Sequence, residues 1–140
     1  MLKPKKIKFE KQHRGRMTGK DKHTSYPKVG KYFLQAKESQ WISAKQIEST
    51  RRTIIHKLKR EGKLFILFFP HKPVTTRVSE SRMGSGKGNI SHWVAVIKSN
   101  MYLFALQGIT KELAYEALKA GSYKLPIKTQ IIIKYETSIT

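Results

Sequence analysis

Residues 41–60 read WISAKQIESTRRTIIHKLKR, and this stretch does most to decide the fold. Ser43 and Gln46 form the S-x-x-Q pattern of a capping box, which predicts that a helix begins directly after Ser43. Gly62 is a typical residue just past a helix end, so we expect the helix to run from residue 44 to about residue 60.

The predicted helix has two chemically different sides. One side is an apolar stripe at helical spacing, which indicates a face for the core. The stripe consists of Ile47, Ile54, Ile55 and Leu58. The cations that fall largely off the stripe are Lys45, Arg51, Arg52, Lys59 and Arg60. A basic helix side either contacts a polyanion or is only a solvated surface, and the helix alone leaves both interpretations open.

The whole chain is strongly basic. Its 140 residues carry 29 Lys and Arg against 9 Asp and Glu, a formal net charge of +20. This charge indicates a polyanionic partner, nucleic acid first, because each neutralised phosphate releases a counterion. An anionic membrane surface is a weaker alternative, because neither predicted helix has an aromatic-rich lipid face. We therefore predict no membrane partner, and the N-terminal sequence predicts no signal peptide.

The charge is unevenly distributed along the chain. Residues 1–28 are predicted to form a basic N-terminal arm, residues 29–136 a globular domain, and residues 137–140 a C-terminal tail. The arm contains many cations but only two acids, Glu10 and Asp21. A solvated tail without a specific partner is the alternative for the arm.

The globular part predicts an α+β fold. Strands are expected at residues 29–37, 63–69, 74–78, 93–97, 101–106 and 129–134, and a second helix between Thr110 and Gly121. Ser99 and Asn100 are expected to join two of these strands as a hairpin. The order β-α-β-β-β-β-α-β predicts a compact two-layer sandwich of mostly antiparallel strands with two helices.

The sequence offers little for catalysis. It contains no cysteine, its five histidines form no metal-binding spacing, and nine carboxylates are few for a metal-dependent nuclease. We predict no catalytic residue, no metal site and no cofactor. The alternative is a small basic RNA-processing enzyme that uses Glu80 or His92 as a general acid or base.

A glycine-rich loop is expected at residues 81–90. Its centre, GSGKG at residues 84–88, fails the phosphate-loop pattern of nucleotide-binding proteins because Lys87 is followed by glycine. Glycines nevertheless let backbone N–H groups approach a phosphate closely, and Arg82 and Lys87 flank them. Met83 adds a flexible apolar contact. The loop therefore favours anion contact over a merely flexible hairpin tip.

Many short motifs along the chain, taken together, match the pattern of one protein family. They are residues 11–17 (KQHRGRM), 41–43 (WIS), 46–48 (QIE), 51–52 (RR), 69–70 (FP), 72–75 (KPVT), 82–88 (RMGSGKG), 93–96 (WVAV) and 124–129 (KLPIKT). In order and spacing they resemble the bacterial-type large-subunit ribosomal protein sixteen, especially its plastid versions. The sequence departs from the family at Val29, His71 and Ala105, and residues 20–28 match it poorly.

The resemblance implies a hammerhead-like sandwich with a basic N-terminal extension and a non-catalytic role. It implies binding to large-subunit rRNA near the central protuberance and the peptidyl-transferase region, late subunit assembly, and positioning of the tRNA acceptor arm at the A site. Other large-subunit ribosomal proteins are implied as neighbours of a chain that is monomeric within the ribosome. The implied location is an organellar ribosome, in a plastid first, with a mitochondrion or the bacterial cytoplasm as alternatives.

Charge and resemblance together define the candidate site residues. The expected rRNA-binding residues are Lys3, Lys5, Lys6, Lys8, Lys11, His13, Arg14, Arg16, Lys45, Arg51, Arg52, Lys59 and Arg60. The expected loop contacting rRNA or tRNA consists of Arg82, Met83, Gly84, Ser85, Gly86, Lys87 and Gly88.

Overall fold

The structure is a computed structural model that describes residues 3–6, 11–12, 14–15, 19, 26–76, 84 and 86–135. Its elements in chain order are β1 (Tyr32–Ala36), β2 (Gln40–Ser43), α1 (Ala44–Leu58), β3 (Lys63–Ile66), β4 (Lys72–Thr76), β5 (Asn89–Ile97), β6 (Tyr102–Gln107), α2 (Lys111–Ser122) and β7 (Thr129–Ile133). The α+β class is therefore confirmed. No helix in the described ranges is both long enough and apolar enough to cross a membrane.

The strands form two antiparallel sheets. The larger has the order β3-β6-β1-β7, and the smaller has the order β2-β5-β4. Strand β1 lies inside the larger sheet and is buried along its whole length, and Gln35, the polar residue of its sequence YFLQA, donates its amide to the carbonyl of Asn100 at 2.9 Å. The mostly antiparallel pairing predicted from the sequence is thus confirmed.

Helix α1 begins where the capping box predicts. The Ser43 hydroxyl accepts from the backbone N–H of Gln46 at 3.2 Å, and the Gln46 side chain accepts from the backbone N–H of Ser43 at 3.0 Å. The helix ends at Leu58, two residues before the predicted end, because Lys59 and Arg60 adopt left-handed backbone conformations with φ of 50° and 67°. Both cations therefore lie beyond the helix and not on it.

The two helices pack against each other at a glycine. A Cβ atom at Gly121 of α2 would lie 2.6 Å from Cγ1 of Ile54, which is fully buried on α1. Ile55, which the stripe assigned to the core, is instead 38% exposed. The apolar face is narrower than predicted because α2 covers the side of α1 that carries Ile54.

The hairpin predicted at Ser99 and Asn100 is wrong. Strand β5 pairs with β2 and β4, whereas β6 pairs with β1 and β3, so these two residues carry the chain from one sheet to the other. Asn100 has a φ of 72° and donates its backbone N–H to the carbonyl of Ala36 at 2.8 Å. The turn residues were recognised, but local sequence does not show which sheet each strand joins.

Strand β2 was missed, and several strand ends differ. Residues Gln40–Ser43 pair with the end of β5, although the sequence predicted only a helix entry there. Strand β5 begins four residues before the predicted strand 93–97 and pairs with β4, so the glycine-rich loop joins two paired strands as expected. Strand β4 lies at a sheet edge, where Pro73 is tolerated.

Candidate nucleic-acid interface

Residues 11, 12 and 14 of the arm contact the strands and loop end of the β4–β5 hairpin. Lys11 donates its ammonium to the carbonyl of Lys87 at 3.0 Å, and the Lys87 ammonium donates to the carbonyl of Gln12. The Lys72 ammonium on β4 donates to the carbonyl of Arg14. These three long-range hydrogen bonds bring the predicted arm and the predicted glycine loop together.

An aromatic ring lies beneath this contact. The ammonium of Lys72 lies 4.9 Å from the ring centroid of Trp41, and the guanidinium carbon of Arg14 lies 5.6 Å from it. Both distances fall within the range in which a cation is attracted to the face of an aromatic ring. We name Lys11, Arg14, Trp41, Lys72 and Lys87 the arm–hairpin cluster.

The arm–hairpin cluster carries an excess of positive charge. Its residues, except Lys11, line a surface groove of ≈ 270 Å³ together with Gln12 and residues 73–75. Partial burial lowers the pKa of Lys72, and the nearby charges of Lys87 and Arg14 lower that pKa further. No carboxylate of the described residues forms an ion pair with the four cations of the cluster. The cluster is therefore suited to hold an anion.

A second cationic surface lies along α1 and just past its end. A groove of ≈ 530 Å³ is lined by Arg51, Arg52, Ile55, His56, Lys59 and Arg60. We name this lining the α1 basic face. Trp41 lies two residues before the N-cap Ser43, whereas Arg60 follows the C-terminal end of α1. At 1.5 Å per residue, the helix separates the two surfaces by about 20 Å.

The α1 basic face contains its own counter-charge. Arg51 donates two hydrogen bonds to the Glu48 carboxylate, one of them from Nε to Oε2 at 3.0 Å. Arg52 Nε donates to Oε1 of the same carboxylate at 3.2 Å. The hydrogen bond from Arg51 is the main reason that the pKa of Glu48 falls from 4.5 to about 2. One acid thus binds two of the arginines that were predicted to contact rRNA, Arg51 and Arg52.

The structure describes most of the other predicted site residues, but not all. Lys3, Lys5, Lys6 and Lys45 are exposed to solvent. Gly84 and Gly86 have φ values of 112° and 78°, which glycine adopts readily, and Gly88 directly precedes β5. The predicted residues outside the described ranges are Lys8, His13, Arg16, Arg82, Met83 and Ser85.

Two members of the arm–hairpin cluster were not predicted as site residues. Trp41 was considered only as part of the helix entry and of the family motif at residues 41–43, and Lys72 only as part of the motif at residues 72–75. Neither residue carries a local signal for its role, because their contact with Arg14 joins segments far apart in sequence. Glu48 was also missed, although its spacing of three and four residues from Arg51 and Arg52 is a readable signal for an ion pair on a helix.

Comparison with known proteins places the chain among the ribosomal proteins. The family model described as Ribosomal protein L16p/L10e matches residues 4–132, which is nearly the whole chain. The chain therefore belongs to the Ribosomal protein L16p/L10e family. Its family was correctly identified from the motifs in the sequence.

Individual relatives are similar to this chain over nearly their full length. The chain is 54% identical to large ribosomal subunit protein uL16c of Gracilaria tenuistipitata over 134 residues, which cover 96% of this chain and 99% of that protein. It is 53% identical to uL16c of Porphyra purpurea, with 96% of each chain covered. It is 48% identical to uL16 of Trichodesmium erythraeum, with 97% and 99% covered.

These relatives fix the general role of the chain. It is a structural constituent of the large ribosomal subunit and not an enzyme, so the alternative of an RNA-processing enzyme is wrong. The relatives with the plastid-type name uL16c confirm the predicted location in a plastid ribosome.

Proposed function

We propose that the chain binds large-subunit rRNA near the central protuberance and the peptidyl-transferase region. There it would support late subunit assembly and help to position the tRNA acceptor arm at the A site. The observation that carries this proposal is the docking of Lys11 and Arg14 of the arm beside Lys87 of the glycine-rich loop. Two segments predicted separately to contact RNA form one cationic surface.

The proposed binding mechanism is electrostatic. Each Lys or Arg that neutralises an rRNA phosphate releases a condensed counterion, and the released counterions drive association at moderate salt. The arm of residues 1–28 and the globular domain of residues 29–136 would bind as one unit, and the tail of residues 137–140 has no assigned role. Recognition would depend on the shape of folded RNA and not on base sequence.

The α1 basic face would provide a second contact. It lies about 20 Å along α1 from Trp41, so one RNA phosphate cannot reach both surfaces. Two separate RNA segments, or two turns of one helix, would then hold the protein from two sides. Other large-subunit ribosomal proteins are proposed neighbours of a single copy of the chain.

The experiment that tests rRNA binding is a salt titration. The full-length protein is mixed with a fragment of large-subunit rRNA, and the dissociation constant is measured at increasing KCl concentrations. A footprint of about ten phosphates gives a log–log slope of roughly −7 to −9. Binding that does not change with salt would contradict the electrostatic mechanism.

The proposed tRNA contact needs a separate test. Residues 82–88 are proposed to approach the acceptor arm or the rRNA that holds it. Lys87 also binds the arm through Gln12, so Arg82→Ala is the cleaner variant. We expect this variant to enter large subunits normally but to lower A-site tRNA affinity. Unchanged tRNA affinity in assembled ribosomes would remove this role from Arg82.

A further inference from the structure

The arm–hairpin cluster brings four cations together, and none of the acids that the structure describes forms an ion pair with them. Lys11 and Arg14 come from the arm, Lys72 from β4, and Lys87 from the end of the glycine-rich loop. Their donors reach backbone carbonyl groups or the Trp41 ring, which attract cations but carry no net charge. The cations therefore repel one another in the docked arrangement.

The backbone of the arm fits this arrangement closely. Gly15 has a φ of 70°, and a Cβ atom placed there would lie 3.6 Å from the Lys72 ammonium. The chain thus passes directly over Lys72 in a conformation that glycine adopts without strain. Arg14 and Gly15 of the arm therefore lie against the Lys72 side chain of β4.

From these observations we infer that the arm–hairpin cluster is a composite phosphate-binding site whose occupant is a phosphodiester group of the RNA backbone. The inference deepens the proposed rRNA binding and rests on it. A phosphate in the groove converts repulsion among Arg14, Lys72 and Lys87 into attraction toward a shared anion. Binding of the phosphate and docking of the arm should therefore strengthen each other, since each favours the same arrangement.

Trp41 supplies a local reporter for this site. The chain has only two tryptophans, so the indole N–H signals of Trp41 and Trp93 can be told apart in a two-dimensional ¹⁵N NMR spectrum. The Trp41 indole nitrogen is buried and has no hydrogen-bond partner within the described structure. Its chemical shift will report on cations that move over its ring.

The test is a titration of the full-length protein with inorganic tripolyphosphate at constant ionic strength. We expect a saturable shift of the Trp41 signal and little change in the Trp93 signal. At a tripolyphosphate concentration well below the wild-type dissociation constant, the double variant Lys72→Ala/Lys87→Ala should show roughly a tenth of the wild-type Trp41 shift, which corresponds to a site on the order of tenfold weaker. The matched control Lys111→Ala/Lys124→Ala removes two exposed cations on and after α2 and should behave like the wild type.

Two further measurements check whether the double variant is folded and whether rRNA occupies the same site. The NMR spectrum itself shows whether the double variant is folded. If it is not, Lys87→Gln, which changes an exposed side chain, must still reduce the Trp41 shift. Prior binding of an rRNA fragment should prevent the tripolyphosphate shift, which distinguishes an RNA backbone site from a site reserved for free phosphates.

The inference and the proposed function can fail separately. The absence of a saturable Trp41 shift, or an equal shift in the double variant, would overturn the composite site. A shift that persists on rRNA binding would overturn the RNA backbone as its occupant. Failure of the wild-type protein to bind rRNA at all would instead overturn the proposed function.

Discussion

At the N-terminal end of α1, Arg14 and Lys72 lie over the Trp41 ring, and no carboxylate of the described residues forms an ion pair with the four cations of the arm–hairpin cluster. Along α1, Arg51 and Arg52 share the carboxylate of Glu48. Both surfaces are basic, but among the described residues only the second has a carboxylate bound to its arginines. A count of Lys and Arg would treat them as equal. The difference indicates that the arm–hairpin cluster depends more on an external anion than the α1 basic face does.

We expect the largest effect from a variant that removes cations of the arm–hairpin cluster. Lys72→Ala/Lys87→Ala should make the log–log salt slope of rRNA binding shallower by about two, because each lost phosphate contact removes about one unit. The slope is measured by salt titration with an rRNA fragment. The control Lys111→Ala/Lys124→Ala carries the same net charge and should keep a slope close to that of the wild type. Equal slopes for both double variants would show that net charge, not the cluster, controls binding.

The next effect concerns the α1 basic face. Glu48→Gln removes the carboxylate that holds both arginines, so Arg51 and Arg52 become free to contact phosphates. We expect the salt slope of rRNA binding to become steeper by up to about one unit. Arg51→Ala should change it by less than Lys72→Ala, because Glu48 already engages Arg51. An Arg51→Ala effect as large as that of Lys72→Ala would remove the contrast between the surfaces.

A smaller effect tests the aromatic ring. Trp41→Phe keeps an aromatic face but weakens its attraction for Arg14 and Lys72, a loss of about 0.5–1 kcal/mol. The affinity for rRNA should fall by roughly two- to fivefold at fixed salt. Trp93→Phe is the matched control and should leave the affinity unchanged. An unchanged affinity in Trp41→Phe would show that the ring does not help to position the cations.

The smallest expected effect is on stability at low pH. The pKa of Glu48 is lowered from 4.5 to about 2 in the folded protein, so its contribution to stability is present above pH 4.5 and is lost as the pH falls toward 2. The wild type should therefore have a higher melting temperature than Glu48→Gln near neutral pH. This difference should shrink between pH 4.5 and about pH 2. A difference that is independent of pH would show that the ion pair does not contribute through the charge of Glu48.

Local features of the fold could be predicted because they depend on neighbouring residues. The capping box at Ser43 and Gln46 marked the start of α1 correctly. The hairpin at Ser99 and Asn100 was mispredicted because sheet membership depends on long-range pairing. The left-handed conformation of Lys59 was also unexpected, since cations rarely mark a helix end in this way.

The candidate site also combines features that neighbouring residues predict with features that depend on tertiary contacts. Charge and motif led to the prediction that Lys11, Arg14 and Lys87 contact RNA, but the sequence did not predict that these residues lie together in the fold. Trp41 and Lys72 join the cluster through tertiary contacts that no sequence spacing reveals. Glu48 is the opposite case, because its i,i+3 and i,i+4 partners are visible in the sequence and were overlooked.

The most direct test of phosphate binding at the arm–hairpin cluster is a cryo-EM reconstruction of the plastid-type large subunit that contains this chain. We expect an rRNA backbone phosphate in the groove between Arg14, Lys72 and Lys87, within hydrogen-bonding distance of at least two of these side chains. It also predicts that the Glu48–Arg51 pair persists on the bound protein. An arm–hairpin groove that faces solvent or another protein, with rRNA touching only the α1 basic face, would contradict phosphate binding at the arm–hairpin cluster.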